Sequence, residues 1–185
     1  MDVVLEDRLR KFADVLPGTF VALPSAGPPR YGLRLVAHEL GAPGVPELGA
    51  PGFVNFLSLS DAPGFPCARM SLVDPRTRVV EVARVALVPH LDYGVCFDPG
   101  VEAEAGDIEI WGHEALFLAV VLGHEHLARR IDLSSGHAEA LDDLDDRARH
   151  EPPALVKSWS LLRGTGPLRE RDALVLWQDG AMISR

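Results

Sequence analysis

The chain has 185 residues, of which 47% are hydrophobic, and a formal net charge of −9. A chain of this length is the size of one domain and can bury a core without disulfides or structural metals. The acidic balance disfavours nucleic acid, because that affinity depends on lysine and arginine neutralising phosphates. No basic amphipathic stretch, secretory signal or apolar run of about 20 residues is present. We therefore expect one soluble, cytoplasmic domain spanning residues 1–185, with no contact to nucleic acid or membrane.

The first predicted element is a short amphipathic helix over residues 3–15, whose apolar side chains are spaced three and four apart. Pro17 and Gly18 end it. Two strands follow, "TFVAL" and "RYGLRLVAH", the second with apolar and basic residues in alternation. Residues 39–52 contain two copies of "ELGAPG", and because proline and glycine break regular structure we predict a surface loop there.

Residues 53–97 carry the pattern of a β-meander. The segments "FVNFLSL", "CARMSLV", "RVVEVARVALV" and "YGVCF" are strand-like, and a type I turn is predicted at residues 74–77, with proline in its second position. Cys67 and Cys96 lie in two of these apolar runs and have no C-x-x-C partner. We expect buried, reduced thiols, although a disulfide stays open if their strands are neighbours.

The segment over residues 113–130, "HEALFLAVVLGHEHLARR", is ambiguous after the strand-like "IEIW". Its eight-residue apolar run fits a buried strand or the middle of a helix, and periodicity does not separate them. Leucine, alanine, Glu114 near the start and the arginines near the end favour a helix. Gly112 and Gly123 favour a hairpin strand. We favour the helix.

A second helix is predicted to begin at Ser135 as the N-cap and to end before Pro152. The segment "ALVKSWSLL" is a strand or short helix, and the apolar runs around Asp179 and Gly180 predict a tight hairpin. The pattern as a whole predicts an α+β fold, with a mostly antiparallel sheet built on the β-meander and two or three helices.

Histidines offer a candidate metal site at His124 and His126. On a helix the two rings point to different sides, and the zincin spacing of His at i and i+4 is absent. On a strand they share one face and could offer two imidazoles to zinc or another divalent metal. A third ligand would come from elsewhere, such as His90, His137 or an acid. The alternative is a pair of solvent-facing side chains at the end of an apolar element.

A dense acidic group is the strongest candidate for partner binding. The motif "DDLDD" matches the D-D-x-x-D pattern that holds magnesium in prenyl synthases, but this chain has no second acidic motif to stand opposite it. A solvated negative patch that steers a basic protein partner fits the pattern better. Its members are Glu139, Asp142, Asp143, Asp145 and Asp146.

Catalytic signatures are absent from the local sequence. "RGTGPLRER" lacks the spacing of a phosphate loop, and no G-x-S-x-G elbow occurs. We therefore expect a non-catalytic protein-interaction module, such as an adaptor, an inhibitor or an immunity-type protein, without a cofactor. Two alternatives stay open, a small metal-dependent enzyme using His124 and His126, and an α+β domain that binds a small ligand.

Overall fold

A computed structural model gives the fold, and it describes residues 8–25, 27, 29–36, 54–60, 67–90, 95–96, 102–111, 114–121, 124–140, 153–164 and 174–178. Across these residues the regular structure is almost entirely β-sheet. The strands are β1 (Arg8–Lys11), β2 (Phe20–Leu23), β3 (Arg30–Arg34), β4 (Val54–Ser58), β5 (Arg69–Val73), β6 (Arg78–Glu81), β7 (Val85–Pro89), β8 (Val95–Cys96), β9 (Ile108–Trp111), β10 (Glu114–Val121), β11 (His124–Asp132), β12 (Ala138–Ala140), β13 (Ala154–Val156), β14 (Trp159–Arg163) and β15 (Leu174–Gln178), and one 3₁₀ helix spans Phe12–Asp14.

Twelve strands form one sheet in the order β1-β6-β2-β3-β4-β5-β10-β9-β13-β8, with β11 paired to β10 and β12 paired to β11. The pairings are antiparallel, except that β10 runs parallel to β5. A smaller sheet has the order β15-β14-β7. The two sheets share one apolar core, in which the Phe117 ring of β10 meets the Trp159 ring of β14 edge-on at 5.4 Å.

A second, smaller core lies on the opposite face of the twelve-stranded sheet. Neighbouring residues of β4 show the division, since Leu57 belongs to the larger core and Phe56 to the smaller one. The Phe56 ring packs edge-on against Phe12 of the 3₁₀ helix at 6.0 Å. Gly32 makes room for that ring, because a Cβ there would lie 2.4 Å from the ring edge. Both faces of the sheet are therefore packed in this region.

The predicted α+β class is wrong, because the described residues contain no α-helix. The helix predicted over residues 3–15 is replaced, in its described part, by β1 and the 3₁₀ helix. β1 pairs along its whole length with β6. That pairing buries Phe12 and Val15 against the smaller core. Tertiary contacts of this kind outweigh a short helical periodicity, whose intrinsic free energy is only a few tenths of a kcal/mol per residue.

The favoured helix over residues 113–130 is also wrong, since the segment forms the hairpin of β10 and β11. β10 has neighbours on both sides, and its residues from Leu116 to Val121 are buried. A strand buried on both faces shows no alternation, which is why the apolar run resembled the middle of a helix. The helix predicted from Ser135 is instead a turn followed by β12, and its remainder from residue 141 lies outside the described residues.

The β-meander prediction holds only in part. Within residues 53–97, β4 and β5 are adjacent and antiparallel, and the turn at residues 74–77 is confirmed by a 2.9 Å hydrogen bond from Thr77 N to Asp74 O. The predicted strand "RVVEVARVALV" is split into β6 and β7. Arg84, at φ 58°, lies between them, and β6 pairs with β1 and β2 rather than with β5. The loop at residues 39–52 and the turn at Asp179 lie outside the described residues.

Candidate functional site

A buried ion pair joins β9 to β11 across β10. Glu109 and Arg130 are 2% and 7% exposed. The Arg130 guanidinium donates from Nε to Glu109 Oε2 and from Nη2 to Oε1, the second at 3.1 Å. Trp111 Nε1 donates to the same carboxylate at 3.1 Å, and the guanidinium carbon lies 5.9 Å from the centre of a Trp111 ring. Three hydrogen bonds and an aromatic ring therefore fix the orientation of both charges.

A second ion pair lies beside the first on the same sheet. Asp107, just before β9, is 6% exposed. Its Oδ2 accepts from Lys157 Nζ at 2.6 Å and from the Glu104 backbone N–H at 2.8 Å. Lys157 follows β13, which pairs with β9. The two ion pairs therefore join β9 to β11 on one side and β9 to the residue after β13 on the other.

The turn after β11 is built on the Asp132 carboxylate. It accepts hydrogen bonds from Ser134 N at 2.8 Å, Ser134 Oγ at 2.7 Å and Ser135 Oγ at 2.6 Å. Burial raises the pKa of Asp132, but the hydrogen bonds from the two serines outweigh that effect and lower it overall. Gly136 closes the turn at φ +73° and accepts a 2.9 Å hydrogen bond from Val36 N. The turn thus fixes where β12 begins.

The structure places one member of the predicted acidic patch. Glu139 lies on β12, opposite Arg130 in the pairing register with β11. β11 is the only partner of β12 within the described ranges, so β12 is an outer strand there. The other four members, Asp142, Asp143, Asp145 and Asp146, lie outside the described residues, and the sequence reaches them within two to six residues of the end of β12.

The histidine pair lies on a strand, as the alternative interpretation required, but at an irregular point. The register shifts between Val120 and Val121, so that Val121 pairs with His124 while Val120 pairs with Ala128. The irregularity interrupts the strict alternation that would place His124 and His126 on one face. Their side chains lie outside the described part, and the described residues hold no group of three potential metal ligands.

A histidine–serine cluster lies between β7 and β14, and the sequence did not predict it, because His90 was not paired with either serine. His90 Nε2 lies 2.8 Å from Ser160 Oγ, and Nδ1 lies 3.3 Å from Ser158 Oγ. A hydroxyl at this distance from an imidazole is the start of a nucleophile–base pair. Both serines are more than nine-tenths buried, however, and a hydroxyl takes the place of an orienting carboxylate. The cluster satisfies buried polar groups between β7 and β14.

Cys67 and Cys96 do not form a disulfide, and each is half-buried. Cys67 precedes β5 and Cys96 lies on β8, and these strands are not paired with each other. Among the described residues, no helix has the length and apolar character needed to cross a membrane. Comparison with protein-family models, curated proteins and solved structures gave no match to this chain.

Proposed function

We propose that the protein is a non-catalytic interaction module that binds a basic partner protein through its acidic segment, comprising Glu139, Asp142, Asp143, Asp145 and Asp146. The observation that carries the proposal is the place of Glu139 on β12, an outer strand among the described residues. Outer strands offer backbone groups to a partner, and adjacent carboxylates select a partner of opposite charge.

The contacts that hold β12 in place favour a binding role, since a strand that pairs with a partner has to keep its position. β11 holds β12 through three paired positions. The buried ion pair between Arg130 and Glu109 anchors β11 in turn, and the hydrogen-bonded turn around Asp132 joins β11 to β12. An outer strand that is fixed in advance loses little conformational entropy when a partner binds.

Charge supports the same proposal. The chain carries 27 acidic and 18 basic residues, and four of the acids fall within the five residues from 142 to 146. A concentrated negative segment attracts a basic partner over about one Debye length, roughly 8 Å at physiological ionic strength. It therefore raises the association rate more than it slows dissociation. Binding should weaken steeply as salt is added.

The proposal is tested by neutralising the segment. Tagged protein expressed in its native cells is crosslinked, and the captured proteins are compared by quantitative mass spectrometry between wild type and D142N/D143N/D145N/D146N. We expect at least one basic protein to be depleted about tenfold, because the loss of four charge pairs worth a few tenths of a kcal/mol each removes about 1–2 kcal/mol.

A matched control removes the same amount of charge from other exposed positions, using D14N/E102Q/E104Q/E114Q. The depleted protein should remain bound to this control variant. Equal loss from both variants would show only a general charge effect, and unchanged capture in the first variant would refute the acidic segment as a binding site. Purified partner and wild-type protein should then bind directly, with an association rate that falls with salt.

A further inference from the structure

The edge of the sheet at β1 has the opposite charge from the rest of the protein. β1 reads Arg-Leu-Arg-Lys, and within the described ranges it pairs with β6 alone. Three of its four side chains are exposed and the fourth, Arg10, is half-buried. Three cations in four residues on a chain of net charge −9 form a local basic site at a strand edge.

The register between β1 and β6 sets two positively charged side chains directly opposite each other. Arg10 Nε is paired with Glu81 Oε2 at 2.8 Å. Lys11 stands directly opposite Arg78, and both are exposed. Like charges at directly opposed strand positions destabilise a sheet. An acidic ligand beside Lys11 and Arg78 would remove that repulsion, so the edge is complementary to anions.

An exposed apolar side chain accompanies these cations. Leu9 is 60% exposed, and Leu16 just after the 3₁₀ helix is 75% exposed. Among the described residues these are the large hydrophobic side chains left in solvent. Because side chains alternate along a strand, Leu9 shares a face of β1 with Lys11. The face therefore presents one apolar position next to two cations.

We propose that the outer edge of β1 binds an extended acidic segment of a partner protein by strand addition. The partner's backbone pairs with β1, and its carboxylates lie on the face that carries Lys11 and Arg78. An apolar side chain two residues from a carboxylate lies on the same face and covers Leu9. A second copy of β1 does not fit, because pairing Arg-Leu-Arg-Lys with itself sets cations beside cations in either direction. The proposal for β1 does not depend on the proposal for the acidic segment.

The test uses a fluorescein-labelled synthetic peptide, Leu-Thr-Asp-Thr-Asp with glycine flanks, in which the leucine and both aspartates share one face of an extended strand. Fluorescence anisotropy measures its binding to the full chain. We expect K11Q/R78Q to weaken binding about fivefold or more at low salt, because two charge pairs are lost. The control R84Q/R163Q removes two cations beside β7 and on β14, and it should change affinity less than about twofold. Equal weakening by the two variants, or equal affinity for a Leu-Thr-Asn-Thr-Asn peptide, overturns the proposal.

Backbone pairing is tested with two N-methylated versions of the peptide, each carrying methyl groups on alternate amides. Alternate amides of an added strand point toward and away from the sheet, so one version should lose binding and the other should keep it. Equal affinity of both versions overturns strand addition. Sedimentation velocity checks the remaining occupant: a wild-type dimer that K11Q/R78Q strengthens, because the variant removes the facing cations, would assign the edge to a second copy. Circular dichroism confirms that each variant is folded.

Discussion

Replacing Glu109 by glutamine tests how far the fold depends on its buried ion pair. The change keeps the size of the side chain but removes the negative charge from a position that is 2% exposed. Arg130, itself 7% exposed, then keeps a buried positive charge without its counter-ion. Breaking a buried pair from one side costs about 3–5 kcal/mol, because the remaining charge is desolvated and uncompensated.

The structure indicates that the cost of E109Q in the free energy of unfolding lies near the lower end of about 3–5 kcal/mol. In wild type the Arg130 guanidinium and Trp111 Nε1 donate to the carboxylate oxygens of Glu109. In E109Q the amide oxygen can still accept a hydrogen bond from one of these two donors. We therefore expect a loss of about 3 kcal/mol in the free energy of unfolding. For a chain of this size that loss corresponds to a fall of about 6–12 °C in Tm.

The matched double variant separates charge from packing. E109M/R130M replaces both charges with flexible apolar chains and leaves Trp111 Nε1 without its acceptor, at a cost of about 1–3 kcal/mol. Because neither charge is left without its counter-ion, the double variant should be more stable than the summed effects of the E109M and R130M single substitutions predict. Urea unfolding measures each variant and gives the coupling free energy between the two positions. A loss below about 1 kcal/mol in E109Q, or additive single effects, would refute the pair as the element that holds β11 to β9.

Three further predictions concern the neighbouring turn and the histidines. The pKa of Asp132 is lowered in the folded state, so its carboxylate stabilises the fold above the unfolded pKa, and this stabilisation is lost as pH falls through the folded pKa. D132N should lower the free energy of unfolding by about 1 kcal/mol at pH 7. It should also make Tm depend less on pH in the acid range. G136A should destabilise by about 2 kcal/mol or more, because Gly136 has φ +73° and a Cβ would lie 2.6 Å from backbone. The control G27A meets nothing within 4 Å and should be neutral in the same urea titration. Elemental mass spectrometry should find no stoichiometric zinc that depends on His124 and His126, since the register shift interrupts their alternation; metal lost in H124A/H126A would contradict this.

Local patterns predicted strands well where one face was apolar and the turn chemistry was explicit. β3, β4 and β9 fall within segments identified by their alternation or β-rich composition, and Asp74-Pro75 identified the turn between β5 and β6. The same rules failed at β10 and β12. β10 is rich in leucine and alanine and lies between other strands, so its sheet pairing overrides its helix propensity. The strand β12 has only three residues, which is too short for alternation to be visible.

The charged and polar contacts of the site left no trace in the sequence. Glu109 and Arg130 are 21 positions apart, and His90 and Ser160 are 70 apart. His90 meets Ser160 because β7 and β14 are neighbours in the smaller sheet, and Glu109 meets Arg130 because β9 and β11 both pair with β10. Glu109 also lies in "IEIW", where alternation shows that glutamate is on the face opposite two isoleucines but says nothing of its partner. The acidic segment was visible because its residues are adjacent, whereas its relation to β12 required the sheet topology.

The independence of the two proposed binding sites yields a prediction with a definite sign. Neutralising Asp142, Asp143, Asp145 and Asp146 takes the formal net charge from −9 to −5. An acidic peptide approaching β1 then meets less long-range repulsion, so its affinity should rise slightly at low salt. At 0.15 M salt the change in affinity should fall below about twofold, because salt screens long-range charge interactions. Titration of the fluorescent peptide at both ionic strengths measures this directly. Weaker binding in the neutralised variant would mean that the acidic segment contributes to the β1 site, and the two sites would have to be treated as one.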